Sequence, residues 1–240
     1  MEWRDEGLAL GTRRHGETSV IVELMTLHHG RHLGMVRGGR SRAMQPILQA
    51  GNSVEAVWRA RIEEHLGAFV IEGTRLRAAQ LMQSEASLHG MALVGVLLRL
   101  LPEREAYPAL YQTALLIADN LHENAIAPAL MVRFELAILQ ELGFGLDLSQ
   151  CASTGAVEDL IYVSPRSGRA VCGKAGAPWH DRMLALPAFL RSGTGASPAR
   201  GDIAAGFRLT QFFLARDVFL PRGMVLPEAR QSYLALTSAG

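Results

Sequence analysis

Apolar and polar positions alternate in short runs up to about residue 76 and switch to helical spacing after Gln80. Leu8–Thr12, Thr18–Thr26 and Arg31–Val36 are short runs of β-forming residues. Turn signals at His15-Gly16 and His28-His29-Gly30 separate them. Ser53–Ala60 partly alternates, with Val54, Ala56 and Trp58 on one face, and Phe69–Leu76 is a fifth candidate strand. Five short strands in so few residues predict a small barrel with an open side, such as an OB-fold. An SH3-like or split barrel has a similar strand count.

The helical half begins with Ser84, which can cap a helix running to about Leu101. Tyr107, Leu110, Tyr111, Ala114, Leu115, Ala118 and Leu121 fall on the spacing of an apolar helix face. A third helix is expected to start near Pro128, carry Leu130, Phe134, Ile138 and Leu142, and end at Gly143. Two more are expected at about Asp181–Leu190 and Asp202–Phe219, with Asp202 as the N-cap of the last. An irregular excursion, Ser149–Trp179, interrupts the helices, and Ser192–Pro198 reads as a mobile connector. The predicted architecture is α+β: a five-stranded OB-fold barrel over residues 1–80, then a helical domain over 81–240. The irregular insertion falls at about 149–179 and has the character of a degenerate zinc ribbon.

Close to half of the 240 residues are apolar, so a sizeable core is available. The net charge is only +1, but it is unevenly spread. Between Gly11 and Arg61 stand eight arginines and three glutamates, an excess of five positive charges, and the remainder is net acidic. Such asymmetry points to an anionic partner for the first segment. Two cysteines, Cys151 and Cys172, suit a reducing compartment, and the first residues have no signal-peptide character. The longest apolar run, Leu88–Leu101, is too short to span a bilayer. A cytoplasmic protein with no membrane partner is expected.

The strongest chemical signal is Val36-Arg37-Gly38-Gly39-Arg40-Ser41-Arg42, directly after the third strand. Guanidiniums stay charged at any cellular pH and fork onto phosphate oxygens. The two glycines would let the backbone approach a ligand closely. Arg13, Arg14 and Arg31 could extend this site along one side of the barrel. Before residue 70 the aromatics are Trp3, Trp58 and Phe69, with Trp58 expected in the core. Contact with the nucleic-acid backbone is therefore expected to outweigh base readout.

Other constellations are weaker. His28, His29 and His32 have a metal-like spacing but sit at a turn containing Gly30. Gly168–Lys174 nearly matches a phosphate-binding loop, yet Ala175 lacks the hydroxyl for Mg²⁺, and Gly176 and Pro178 cut short any following helix. A zinc ribbon would need a second ligand about three residues after each cysteine, where Thr154 and Ala175 stand. His180 could donate, and a fourth ligand would still be missing. No zinc or other cofactor is expected. Neither a nucleophile elbow nor a zinc-protease helix is present, and Glu158 and Asp159 are adjacent rather than facing. No enzymatic activity is expected.

The ordered set of these features resembles the bacterial recombination-mediator family RecO over nearly the whole chain. It includes Glu6–Leu10, His15–Thr18, His29–Arg31, Val36–Arg42, Leu48-Gln49, Phe134–Leu136, Leu142–Phe144, Cys151 and Cys172. Pro221–Gly223 together with Leu226–Arg230 resembles its α-proteobacterial branch. The resemblance implies an OB domain, a helical domain and often a four-cysteine zinc module, from which Thr154 and Ala175 depart. It also implies binding of single- and double-stranded DNA, annealing of complementary strands, and nucleoid association. Implied partners are RecR and the C-terminal tail of single-strand-binding protein, with loading of RecA onto gaps as the outcome. The DNA-binding residues carried over are Arg14, Arg31, Arg37, Arg40 and Arg42, with Arg59 beside them. Arg133 is offered as receptor for the acidic tail. Ile161–Val163 is expected to pair near Ala170 and Val171 as a hairpin that shapes the excursion without metal. An RNA-binding OB protein, an ATPase built on Gly168–Lys174, and a non-nucleic-acid adaptor are the alternatives.

Overall fold

The computed structural model describes residues 1–191 and 198–239. The connector expected at Ser192–Pro198 therefore lies, apart from Pro198, outside the described residues. Five strands, β1 (Glu2–His15), β2 (Ser19–Thr26), β3 (Gly30–Val36), β4 (Ser53–Arg59) and β5 (Ala68–Arg75), close into a barrel of order β1-β2-β3-β5-β4. This is the expected OB-type barrel.

β1 makes closure possible by serving two neighbours. Its first half pairs with β4, from Glu2↔Arg59 to Leu8↔Ser53. Its second half pairs with β2, from Gly7↔Thr26 to His15↔Ser19, with an irregularity between Ala9 and Gly11. An irregularity of this kind bends a strand. The barrel closes where β3 meets β5 in parallel, at Met35↔Ala68. Alternation does the rest: Val54, Ala56 and Trp58 of β4 point inward with Val22, Leu24, Phe69 and Ile71.

The chain continues through α1 (Ala78–Leu81), α2 (Glu85–Leu98), α3 (Pro108–Asn120) and α4 (Ala127–Glu141). The Ser84 side chain accepts the Ser87 N–H as the predicted cap of α2, and Gly143 after α4 has φ +84°. Next come β6 (Leu160–Val163), β7 (Ala170–Cys172), α5 (Gly173–Gly176), β8 (Leu184–Ala185), α6 (Arg200–Phe213) and α7 (Glu228–Ala239). The expected hairpin forms, with Tyr162↔Val171 and Val163↔Ala170.

One helix expectation fails, and the other holds with a different N-cap. Asp181–Leu190 is not a helix: 3₁₀ turns at Ala177–Arg182 and Ala188–Leu190 flank β8, which pairs with β6 through Tyr162↔Ala185. Pro187 offers no N–H for a helical ladder, and the open edge of β6 takes the preceding residues. The last expected helix starts earlier, with Ala199 as N-cap. Asp202 is inside the first turn, where its carboxylate accepts the Ala199 N–H at 3.1 Å. It continues past Phe213 as a π-helical turn, Leu214–Phe219.

Packing divides the chain into two compact units. One is Met1–Asn124 together with Ala229–Leu236; the other is Ala125–Glu228 with the few residues beyond Leu236. The first unit thus holds the barrel, α1–α3 and most of α7, whose buried Tyr233 faces Gly90 of α2. In the second unit α4 packs on α6 beside the β7-β6-β8 sheet. Among the described residues no helix is long and apolar enough to cross a membrane.

Candidate nucleic-acid interface

The β1–β2 turn and the long β3–β4 connection lie at one end of the barrel and are tied together. Arg40 N–H donates to Thr18 O at 3.0 Å, and the Arg40 guanidinium donates to Glu17 O. This joint places Arg14, Arg37, Arg40 and Arg42, with Arg13 beside them, at the same end, all exposed. Among the described residues, Arg13, Arg14, Arg37 and Arg42 make neither an ion pair nor a side-chain hydrogen bond. Five exposed guanidiniums on these adjoining segments, with Glu17 among them and Glu23 and Glu103 in the cleft beside Arg13, form a concentrated field for polyanions.

The glycines of this loop act differently from expectation. Gly38 adopts φ +65°, which its missing Cβ permits. Gly39 is buried, and a Cβ there would stand 2.5 Å from Val20 Cγ2. Its role is to dock the loop onto the barrel rather than to bring backbone to a ligand. The far end of the loop is fastened by Asn52, which is fully buried. Its Nδ2 donates to Pro46 O at 2.7 Å and Ile47 O at 3.0 Å. Its Oδ1 accepts the N–H groups of Arg77 at 2.7 Å and Ala78 at 2.9 Å. One amide thereby fixes the arginine loop to the exit of the barrel.

Arg31 departs from its expected place in this set. Its side chain is 11% exposed, bonded to Glu23 at 2.9 Å and Glu103 at 3.2 Å. The segment around Glu103 folds over β3, with Arg104 N–H donating to Arg31 O at 2.9 Å. Arg31 is thus compensated inside the protein, and Glu23 also holds Arg99 at 2.7 Å. Arg59 stands apart for another reason. It pairs with Glu2 at the start of β1, whereas Arg14 is near the end of that strand. About 40 Å of strand contour separates the two.

At the Arg59 end, sequence reasoning missed a built feature. Asp5, with a side chain 2% exposed, sits under the β2–β3 turn. It accepts from the backbone N–H groups of His28 at 2.8 Å and His29 at 3.2 Å, and from Glu6 N–H at 2.9 Å. Its two oxygens also meet His28 Nδ1 at 3.0 Å and His29 Nδ1 at 2.9 Å. Burial opposes ionisation of Asp5, but the hydrogen bonds from His29 and His28 outweigh it and hold the carboxyl below the usual range. A depressed folded value means the contribution to stability is complete above the unfolded carboxyl value and is lost as pH falls through the folded one. Asp5→Asn is therefore expected to cost about 2 kcal/mol at pH 7, from lost charge-assisted bonds. The gap between variant and parent in urea unfolding should shrink on acidification below about pH 4; a gap that is the same at both pH values would count against this role. His28 and His29 thus brace the turn through their Nδ1 atoms. His32 is turned into the core, and burial pushes its pKa down to about 4.

In the second unit, the phosphate-loop likeness of Gly168–Lys174 fails on geometry. Residues 170–172 form β7, and the N–H groups such a loop would offer are occupied: Gly168 on Ser164 O, Ala170 on Asp147 O, Gly173 on Asp159 O. Cys172 N–H donates to Cys151 Sγ at 3.3 Å, and Thr154 Oγ1 stands 3.7 Å from Cys172 Sγ. Burial raises the Cys151 thiol, but bonds from Thr154 and nearby backbone N–H groups bring it down to about 6. Two thiols and a hydroxyl do not supply a structural zinc site, which takes four nitrogen or sulfur ligands. Among the described residues no group of three or more His, Cys, Asp or Glu is placed to hold a metal. Arg133 donates to Phe189 O at 2.8 Å with its guanidinium over the Phe189 ring.

Residues 1–75 match the family described as Recombination protein O N terminal, and residues 83–223 match Recombination protein O C terminal. The chain belongs to the RecO family. It is 58% identical to DNA repair protein RecO of Methylobacterium nodulans, over 100% of this chain and 99% of that protein. It is 59% identical to that of Methylocella silvestris, over 98% and 95% of the two chains. Identity to that of Agrobacterium fabrum is 58%, over 98% and 92%. These relatives are α-proteobacterial, as the C-terminal segment led one to expect. RecO membership assigns the chain to DNA repair and recombination.

Proposed function

We propose that the protein is a DNA-binding recombination mediator that anneals complementary strands without turning over nucleotide. The observation that carries this reading is the group of exposed arginines at 14, 37, 40 and 42, among which 14, 37 and 42 have no partner among the described residues. Phosphate neutralisation lowers the repulsion between two strands and raises their local concentration. No step in this process requires a nucleophile or a metal, so the protein acts as a non-enzyme and without zinc. It works in the cytoplasm at the nucleoid. With RecR it loads RecA onto gaps covered by single-strand-binding protein, whose acidic tail docks on the helical part. Arg59, balanced by Glu2, is a secondary DNA contact.

The test is annealing of complementary oligonucleotides by purified protein, with and without ATP. We expect acceleration that is indifferent to ATP and falls steeply as salt rises. No acceleration at low salt, or a requirement for ATP hydrolysis, would overturn the reading.

A further inference from the structure

Where β1 begins, a cleft of about 360 Å³ opens on the barrel. Its wall is built of rings. Trp3 stacks on His29 with centroids 4.1 Å apart and planes 6° apart, and on Trp58 at 5.6 Å and 18°. His32 meets Trp3 edge-on at 5.1 Å. The rings are held in place: Asp5 holds His29, and Trp58 Nε1–H donates to Leu66 O at 3.0 Å. Trp3 is half-buried and the His29 side chain is 35% exposed, so the stack reaches the surface. Arg104 borders the cleft, clamped onto the carbonyls of Glu63 and His65; Glu63 and Glu2 also line it, Glu2 being paired with Arg59.

We propose that this cleft takes one unstacked nucleobase of a bound single strand, packed against the Trp3–His29 rings. The inference rests on the DNA-binding reading above and deepens it. With Trp3 sandwiched between His29 and Trp58, the outer face of His29 is the ring surface a base can stack on, held ready by Asp5 at little ordering cost. The volume is in the range of small-ligand sites. A duplex keeps its bases stacked and paired, so only a single strand can supply one. The arginines at the other barrel end grip phosphates of either form. The cleft therefore adds a preference for single strands that charge alone does not provide.

The test compares a natural single-stranded oligonucleotide with a fully abasic deoxyribose-phosphate strand of equal length, which keeps the phosphates and lacks the bases. We expect the parent protein to bind the natural strand about tenfold more tightly, the scale of one stacked base. His29→Ala should erase most of this advantage. His29→Phe, which keeps a ring and loses the Asp5 bond, should retain it, which separates stacking from a fold defect. Equal affinity of the parent for both strands, or a full advantage surviving in His29→Ala, would overturn the cleft assignment and leave phosphate binding standing. Failure to bind either strand would overturn both readings.

Discussion

Replacing Arg37, Arg40 and Arg42 together by alanine is expected to weaken binding to single- and double-stranded DNA by about 100-fold at low salt. The estimate takes roughly 1 kcal/mol for each lost phosphate contact. The loss should be uniform across sequences, because these groups address the backbone. The dependence of log affinity on log salt should flatten by about 2 for single strands, since three fewer counterions are released. The fold should survive, because all three side chains are exposed and only Arg40 is bonded, to Glu17 O. Arg31→Ala is the contrasting variant. It removes partners of Glu23 and Glu103 in a largely buried site, so it should lower stability and leave the salt slope unchanged. Isotherms at several salt concentrations, paired with urea unfolding, read both effects. A triple variant that binds like the parent, or an Arg31→Ala protein whose slope flattens as much, would remove the arginine loop from the mechanism.

The largest effect on stability is expected at Asn52. Its amide makes four hydrogen bonds in a fully buried site. Alanine there strands two carbonyls and two N–H groups, at a cost of about 4 kcal/mol. Aspartate keeps the shape and the two accepted bonds, but turns an oxygen toward the carbonyls of Pro46 and Ile47. Buried and facing acceptors, that carboxyl would have a pKa above its unfolded value. Asn52→Asp should therefore be severely destabilised at pH 7 and relieved as pH falls through that raised value toward the unfolded one, where the protonated carboxyl can donate again. Because Asn52 fastens the loop that carries Arg37–Arg42, any folded fraction of either variant should also anneal strands more slowly. Urea midpoints at pH 7 and pH 5 check the first expectation, and an unchanged midpoint in Asn52→Ala would refute it.

The barrel was legible because a half-buried strand writes its inner face every second residue, as Val54, Ala56 and Trp58 do. The arginine loop was legible because composition alone marks it. What escaped depends on partners remote in sequence. Arg31 looks like its neighbours until Glu103 and Leu101 close over it. Trp3 and His29 belong to different strands and turns, and only the β1–β2 register brings Asp5 under both histidines. The helix expected at Asp181–Leu190 was lost to a sheet edge that no local pattern announces.

The first unit is stitched from both ends of the chain, since Ala229–Leu236 returns to it and Tyr233 seals against Gly90. The barrel core needs no such return, being built from side chains between Trp3 and Ile71. The second unit takes nearly all of its length from Ala125–Glu228, with only the few residues beyond Leu236 added. The two parts of the first unit thus complete their packing at different points along the chain, the barrel by Ile71 and the helices only where α7 returns.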